Sequence, residues 1–469
     1  MKGFSAIVAA GVLALALAVP AAAAPRLVAP SESEGNPAFA GDEIVYLHRT
    51  PNGGSEVRAV APDGKTRAVA TLGTSRPWLN PWDEGLADFA RTLIEVRGSS
   101  QALGVRTMEL SGDRYGHTER TAVMGGPTRG PLGNVGEFCQ QDWQTMVPTI
   151  DVDGDRLAYV RDDCSRGGVP RQVAVRDLST GLEWLGPATA TREVRLAGRY
   201  LAYHPAGRAG ALEVYDIDAG QAVRTLDGTQ GGRFDVQADG TVADSARSPY
   251  ESCRGVLVWR PGTDTPTQVA GCEWTLGAID GDHLALSSLF GYRGEREALA
   301  VLPLGGRARE IQLPGPLDQQ PDLDGNRIVF STSGCSTDTG GVWIDDGADS
   351  PPPPAQAECS VRIRDMTLRA TPDGKVRVPV ICPRGCRGAI QISGGRGYRQ
   401  HFNSPWVPYG SSDMFQRESG QAVRVPVNVG DLRKRYGRRT LKVRVEVRIN
   451  KRSASFRFVR AVRYMKLRV

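Results

Sequence analysis

A chain of 469 residues is long enough for two or three domains, and 56 glycines and 31 prolines make it rich in turn formers. Its net charge of +6 conceals a division: residues 359–469 hold 26 Lys and Arg against 6 Asp and Glu, or +20, and the rest of the chain stands at −14. Such asymmetry points to a partner or a docking surface and says nothing about the fold. No second apolar run of about 18 residues follows the N-terminal one, so the mature protein is expected to carry no integral membrane span.

Met1-Lys2, the apolar stretch Phe4 to Val19 and the small residues Ala21 to Ala24 read as a secretory signal occupying residues 1–24. The apolar stretch is too short for a lasting membrane span. The expected location is therefore secreted, in the extracellular space or the cell envelope, where cysteines form disulfides.

From residue 41 onward a turn residue leads seven times into a short apolar strand. The copies start at Gly41-Asp42, Ala90-Arg91, Gly154-Asp155, Gly198-Arg199, Gly240-Thr241, Gly281-Asp282 and Gly325-Asn326. The last five start 44, 42, 41 and 44 residues apart, the period of one four-stranded β-propeller blade. In the third copy the strands are expected at Arg156–Val160, Gln172–Asp177 and Leu182–Leu185, and in the fourth at Tyr200–Tyr203, Leu212–Asp216 and Ala222–Leu226. The innermost strand of each blade should precede the turn, as in Pro148–Asp151, Phe234–Gln237 and Gln320–Leu323. The seventh copy ends at Gly341–Asp345 without a fourth strand, and Arg26–Ala29 is expected to supply it. The fold class is thus all-β: a seven-bladed β-propeller over residues 25–347, a Pro-rich linker over 348–357 with Pro351–Pro354 at its centre, and a small Ig-like β-sandwich over 358–469.

The repeat resembles the exported TolB-like and WD40-like β-propeller families, whose blades carry a Pro-Asp-Gly or Asp-Gly turn before the second strand. The matching residues are Asp153-Gly154-Asp155, Asp239-Gly240, Asp280-Gly281-Asp282 and Asp324-Gly325-Asn326. The resemblance spans roughly residues 37–346; it departs from TolB in having seven repeats rather than six, and its second blade is long and degenerate. It implies a fold and no particular activity, because propellers host many. The C-terminal part resembles small basic sandwich modules of exported proteins, with strands expected at Ser360–Thr367, Lys375–Ile381, Gly388–Ser393, Ala422–Val429, Thr440–Ile449 and Ser455–Val469, and one helical turn at Asp431–Arg435.

The eight cysteines sort by the face on which the blade topology puts their loops. Cys139 and Cys164 fall on one face of the third blade, and Cys253 and Cys272 on the same face at the fifth and sixth. The other four pair as Cys335 with Cys359 and Cys382 with Cys386, or in the exchanged arrangement. Their spacing does not fit a zinc site.

Little else in the sequence carries chemistry. Ser336 to Trp343 fits the Ser-x-Asp-x-Gly-x-x-Trp box of sialidase-like propellers, where the box is structural; a single copy is equally plain turn chemistry. Asp151-Val152-Asp153-Gly154-Asp155 has the look of a calcium loop but lacks its length and closing Glu, so a β-turn is expected. His48, His117, His204, His283 and His401 are scattered. No Gly-x-Ser-x-Gly, phosphate loop or cofactor motif occurs. Trp82, Trp143 and Trp274, beside Asp83, Asp142 and Glu273, sit on the approach to innermost strands, where they either line a rim for a sugar or peptide or wedge between blades. Arg433, Lys434, Arg435, Arg438 and Arg439, with outward Lys442, Arg444, Arg448, Lys451 and Arg452, offer a face for an anionic cell-surface polymer or for the acidic propeller itself.

Two functions follow. The first is a non-enzymatic exported binding or scaffold protein, its propeller rim meeting a protein or glycan and its basic sandwich a polyanion or partner. The alternative is a propeller hydrolase acting on glycans through carboxylates at the channel mouth, with Asp88, Asp151, Asp235 and Asp322 as candidates. A channel lined with arginine would count against it.

Overall fold

The structure, a computed structural model, describes residues 25–30, 37–49, 54–74, 91–113, 116–140, 150–161, 171–246, 253–288, 298–314, 317, 320–332, 340–347, 359–383, 386–396, 406–412, 415–417, 422–430, 432, 434, 437–450 and 458–469. It is all-β; among the described residues only Leu432 and Lys434 are helical, within the stretch where one helical turn is expected.

The repeated turns are the local cause of the architecture. Gly41, Gly154, Gly198, Gly240, Gly281 and Gly325 all have φ between 53° and 86°. A residue with a Cβ is strained there, so glycine lets the chain reverse tightly between two strands. The result is a series of four-stranded antiparallel meanders.

After β1 (Arg26–Pro30) the first meander is β2 (Ala38–Ala40), β3 (Glu43–Arg49), β4 (Gly54–Val60) and β5 (Thr66–Thr74). The second is β6 (Arg91–Gly98), β7 (Ala102–Asp113), β8 (Gly116–Pro127) and β9 (Gly133–Gln140). The third is β10 (Asp151–Asp153), β11 (Arg156–Arg161), β12 (Gln172–Asp177) and the start of β13 (Glu183–Ala197). The end of β13 opens the fourth, with β14 (Tyr200–Pro205), β15 (Ala211–Asp216) and β16 (Gln221–Asp227). The fifth is β17 (Arg233–Val236), β18 (Val242–Ser245), β19 (Val256–Trp259) and β20 (Thr267–Ala270). The sixth is β21 (Thr275–Asp280), β22 (His283–Ser287), β23 (Leu299–Pro303) and β24 (Arg309–Ile311). The seventh has β25 (Asp322–Asp324), β26 (Arg327–Thr332) and β27 (Gly341–Asp345), and β1 is its fourth strand.

First strands touch in a cycle. β2 meets β6, β6 meets β10, and contacts continue through β13, β17 and β21 to β25, which returns to β2. Apolar clusters fill the spaces between adjacent meanders: Ala38, Val45 and Val57 pack with Val96, Leu103 and Val105, and Val256 and Val258 with Leu284 and Leu286. This burial is the main cohesive term. The N-terminal strand joins the last meander as expected, with Leu27 opposite Trp343 and Ala29 opposite Val342.

Three expectations need correction. In the second repeat Arg91–Gly98 is the first strand and not the second; the reversal is made by Ser99-Ser100-Gln101, which has no Asp-Gly signal. Leu182–Leu185 does not end as a short fourth strand, because β13 runs on for 15 residues and serves two meanders. Cys139 lies within β9, opposite Arg120, and not in a loop.

The C-terminal strands are β28 (Arg362–Ile363), β29 (Leu368–Arg369), β30 (Lys375–Ile381), β31 (Cys386–Arg396), β32 (Trp406–Ser411), β33 (Phe415–Arg417), β34 (Ala422–Asn428), β35 (Thr440–Asn450) and β36 (Phe458–Arg468). They hydrogen-bond in the order β28-β30-β34-β32-β31-β35-β36-β29, with β29 parallel to β36 and β33 beside β31. Alternate residues build the core: Val376, Val378 and Val380 share one buried cluster with Val443, Val445, Val447 and Ile449, and the residues between them belong to the opposite face. Ile390 and Ile392 of β31, Val425 and Val427 of β34 and Met465 and Leu467 of β36 belong to the same cluster.

Deleting Arg26–Pro30 should destabilise the protein by about 2–4 kcal/mol, the order expected for losing the burial of Ala29, exposing Val342 and Ile344 and leaving an unpaired strand edge. A thermal melt checks this; an unchanged transition would show that β1 does not close the cycle.

Candidate functional site

One register position recurs in every first strand. Its occupants are Ala38, Arg97, Asp151, Arg195, Asp235, Ala278 and Asp322, opposite Val45, Gly104, Ala158, Ala202, Ala243, Ala285 and Val329 respectively. Five of the seven are charged. The second-strand partners are small, or valine, because the neighbouring meander packs against them: a Cβ on Gly104 would stand 2.6 Å from Cδ1 of Leu157.

The charges converge. The Arg97 guanidinium donates from Nε to Glu95 Oε1 at 3.3 Å and lies 3.8 Å from Asp322 Oδ1. It also interacts with Asp151 and Asp235, so four meanders contribute to its surroundings. Arg195 lies 3.8 Å from Asp235 Oδ1 and donates to Glu193 Oε1 at 3.3 Å. Arg106 stands 3.4 Å from Glu95 Oε2. Side-chain exposure is 9% for Arg97, 4% for Arg195, 15% for Asp235 and 20% for Asp322.

Each carboxylate is also tied to the backbone of the next meander. Asp151 Oδ2 accepts from Leu196 N–H at 2.8 Å, Asp235 Oδ2 from Ile279 N–H at 2.9 Å and Asp322 Oδ2 from Phe39 N–H at 2.8 Å. Asp151 Oδ1 and Asp235 Oδ1 accept from Val152 and Val236 N–H on their own strands. A second layer repeats the device at the turns: Asp153 takes Gly198 N–H, and Asp280 takes Gly325 N–H at 2.5 Å. The Asp151–Asp155 segment is accordingly a turn whose first two carboxylates are spent on neighbouring backbone.

Burial sets the protonation of this centre. It pushes the Asp235 carboxyl up to about 7 against the pull of Arg195, with Asp151 adding to the rise. Asp151 and Asp322 are raised by burial as well, despite Arg195 and Arg97. Burial opposes the Arg97 charge, but Glu95, Asp322, Asp151 and Asp235 outweigh it and hold the guanidinium protonated. Outside this ring, Asp244 on β18 is fully buried and its Oδ1 has no hydrogen-bond partner; Oδ2 accepts from Gln230 N–H at 2.8 Å. Burial pushes Asp244 up to about 7 also.

Chemically the central carboxylates are heavily engaged by the fold. A general acid or base needs an oxygen within reach of a substrate; here both oxygens of Asp151 and Asp235 accept backbone hydrogen bonds. Two arginines cross the space between the three aspartates.

Above Asp244 the chain is pinned. Gln230 donates to Gly255 O and accepts from Arg254 N–H, while Cys253 and Cys272 form a disulfide with a Cα separation of 5.9 Å. Cys382 and Cys386 are bridged as well, which settles the pairing of that close couple. Cys359 is disulfide-bonded, and Cys164 and Cys335 lie outside the described residues. The pairing of Cys139 rests on Cys164 and is likewise outside the description.

Of the sequence candidates, Asp151, Asp235 and Asp322 meet at the centre, and Asp88 lies outside the described residues. Trp82 and Trp143 do too. Trp274 is half-buried and packs against the apolar cluster shared by the fifth and sixth meanders, as a wedge does. Trp343, the last residue of the Ser336–Trp343 box, is buried and donates to Thr332 Oγ1 at 2.9 Å; residues 333–339 lie outside the description. Lys434, Arg438 and Arg439 are exposed, whereas Arg433, Arg435, Lys451 and Arg452 lie outside the description. Sequence reasoning missed Arg97, Arg195, Glu95, Glu193 and Asp244. A signal existed for Arg195: the ring position falls three residues before the turn glycine at Ala38, Asp151, Arg195, Ala278 and Asp322.

No family model matches the chain, and no curated protein matches it. Among solved structures, the uncomplexed Pyrococcus horikoshii acylaminoacyl peptidase is similar with a TM-score of 0.40 at 10% identity, covering 77% of this chain and 58% of that one. The chain thus spans well under two thirds of that enzyme's length. Saccharomyces cerevisiae Sqt1 is similar at a TM-score of 0.34 and 8% identity, over 69% of this chain and 98% of that one. The Bacteroides ovatus protein titled xyloglucan PUL GH43B is similar at 0.28 and 10%, over 94% and 91%. Likenesses this distant carry no argument about what the chain does.

The raised aspartates make stability depend on pH. An unfolded Asp releases its proton near 3.9, whereas native Asp235 and Asp244 hold theirs to about 7. Between these values the native state binds more protons than the unfolded one, so stability falls as pH rises from about 4 to about 7, by up to about 4 kcal/mol per group. Asp235→Asn removes one contribution and should flatten the profile of denaturant-derived stability against pH. Parallel profiles for variant and parent would disprove the assignment.

Proposed function

We propose that this chain is an exported, non-enzymatic binding or scaffold protein of the cell envelope or extracellular space. It consists of a leader over residues 1–24, a seven-bladed β-propeller over 25–347, a Pro-rich linker over 348–357 and a basic immunoglobulin-like sandwich over 358–469. The cycle of first strands and its closure by β1 support the propeller. For the sandwich, the support is the buried cluster that β30 and β34 share with β31, β35 and β36, built from alternate residues of strands in one hydrogen-bonded series from β28 to β29. Disulfides at Cys253–Cys272 and Cys382–Cys386 fit an oxidising compartment. No helix among the described residues is long and apolar enough to cross a membrane.

The observation that carries the non-enzymatic reading is the engagement of the central carboxylates by backbone N–H groups of the next meander and by Arg97 and Arg195. Glycan hydrolysis through Asp151, Asp235 and Asp322 would require the ring to give up the bonds that join its meanders. The +20 charge of residues 359–469 supports an anionic partner for the sandwich. The rim of the propeller, where Trp82 and Trp143 lie in sequence beside Asp83 and Asp142, is proposed as the surface for a protein or glycan. Arg433, Lys434, Arg435, Arg438 and Arg439 are proposed as part of the anion-facing surface of the sandwich.

The full chain should bind an immobilised polyanion such as dextran sulfate at low salt, with affinity falling more than about tenfold between roughly 50 and 300 mM NaCl. Absence of binding at the lower salt removes the anionic partner. Reducing-sugar release from glycans that Asp235→Asn or Asp322→Asn abolishes would establish the hydrolase in its place.

A further inference from the structure

The outward face of the C-terminal sheet breaks a rule that sheets ordinarily keep. Val443, Val445 and Val447 of β35 and Met465 and Leu467 of β36 point into the core, so Lys442, Arg444, Tyr464 and Lys466 belong to the opposite face. On that face Lys442 sits directly across from Lys466, and Arg444 across from Tyr464. One strand further, Arg369 of β29 lies beside Arg468 of β36 in the parallel pair. Lys442, Lys466, Arg369 and Arg468 are all exposed. Like charges placed side by side on neighbouring strands are destabilising, and here two such pairs lie on adjacent rungs about 7 Å apart. Where a local rule is broken without a compensating gain in the fold, function is the usual cause.

Among the described residues of this face the acid is Glu446, which is 1% exposed and already engaged by Arg444 and Arg448. It leaves the two like-charged pairs without relief. Beside the lysine pair stands Tyr464, a large aromatic left 69% exposed. A cationic strip with an exposed ring in it suits a linear polymer that carries both negative charge and a flat or apolar ring face. Successive nucleic-acid bases would call for several aromatics in a row; among the described side chains of this face Tyr464 is the only one. A polypeptide of acidic side chains would use the cations and leave the ring idle.

We propose that the outward face of β29, β36 and β35 docks a linear acidic polysaccharide, with Arg369, Arg468, Lys442 and Lys466 meeting its carboxylates and Tyr464 packing on a sugar ring. This rests on the anionic-partner reading above and names the ligand class and the surface.

The test uses the full chain and polygalacturonate oligomers of defined length, with poly-L-glutamate of matched charge and a single-stranded DNA oligonucleotide as comparators, measured by calorimetry at low salt. The double substitution Lys442→Gln/Lys466→Gln should weaken polygalacturonate binding by at least about tenfold. Tyr464→Ala should weaken it by about fivefold and leave poly-L-glutamate binding unchanged. All three side chains are exposed, so both variants should melt as the parent does. Unchanged affinity in the lysine variant overturns the surface. An equal effect of Tyr464→Ala on both polymers, or tighter binding of the DNA, overturns the ligand class. Failure to bind any of the three polyanions overturns the anionic-partner reading itself.

Discussion

A carboxylate buried among strands must find donors or give up its charge, and the centre of this molecule is organised around that constraint. Asp151, Asp235 and Asp322 each reach across to a backbone N–H of the following meander. Those N–H groups sit on strands whose neighbours in the cycle are other sheets, so the side chains do between meanders what the ladder does within them. Arg97 and Arg195 then supply opposite charge from two further positions of the same ring.

The balance among these terms is close. Several kcal/mol oppose placing each ion in such a site, and removing one partner of a buried pair typically costs about 3–5 kcal/mol. Three aspartates against two arginines leave a surplus of carboxyl at the ring level, and burial wins over Arg195 at Asp235, which holds its proton to about 7. An apolar ring would avoid these penalties. What the polar ring adds is register: a strand displaced by one residue loses its bond to the adjacent aspartate and turns its own charged residue away from the centre. The apolar clusters between meanders supply cohesion, and the ring fixes which residue of each first strand faces inward.

Much of this architecture is legible in the sequence because the cause is local. A glycine with positive φ stands at six of the seven reversals between first and second strands, and the apolar strand follows, so the 41–44 residue spacing transmits the repeat. Where the cause is not local the pattern misleads. The second meander reverses at Ser99-Ser100-Gln101, without the Asp-Gly signature, and its first strand carries the pattern of a second. The length of β13 is hidden, since the start of one strand and the end of another run together through Gly186 and Pro187. Of the central ring, the aspartates stand out as acids near first strands. Arg97 and Arg195 do not, because an arginine beside β-branched residues reads as the solvent side of a strand; only closure of the cycle turns both inward.

The same point bears on the charge division between the two parts of the chain. Before residue 359 many of the acids are turned inward, although pairing them with arginines leaves the net −14 unchanged. Glu95, Asp151, Asp235 and Asp322 are consumed at the ring, Glu43 is held by Arg67, Asp345 by Arg309, and Asp216 by Arg199. Carboxylates engaged in this way, several of them buried, have little left to offer a basic surface. After residue 358 the cations prevail: among the described acids there Glu446 is internal, Asp373 faces Lys375 and Asp365 lies 3.8 Å from Arg463. The cations of β29, β36 and β35 therefore remain in excess on their own face. Lateral repulsion between Lys442 and Lys466 and between Arg369 and Arg468 is a standing cost of that excess, relieved when negative charge from outside the chain settles between them.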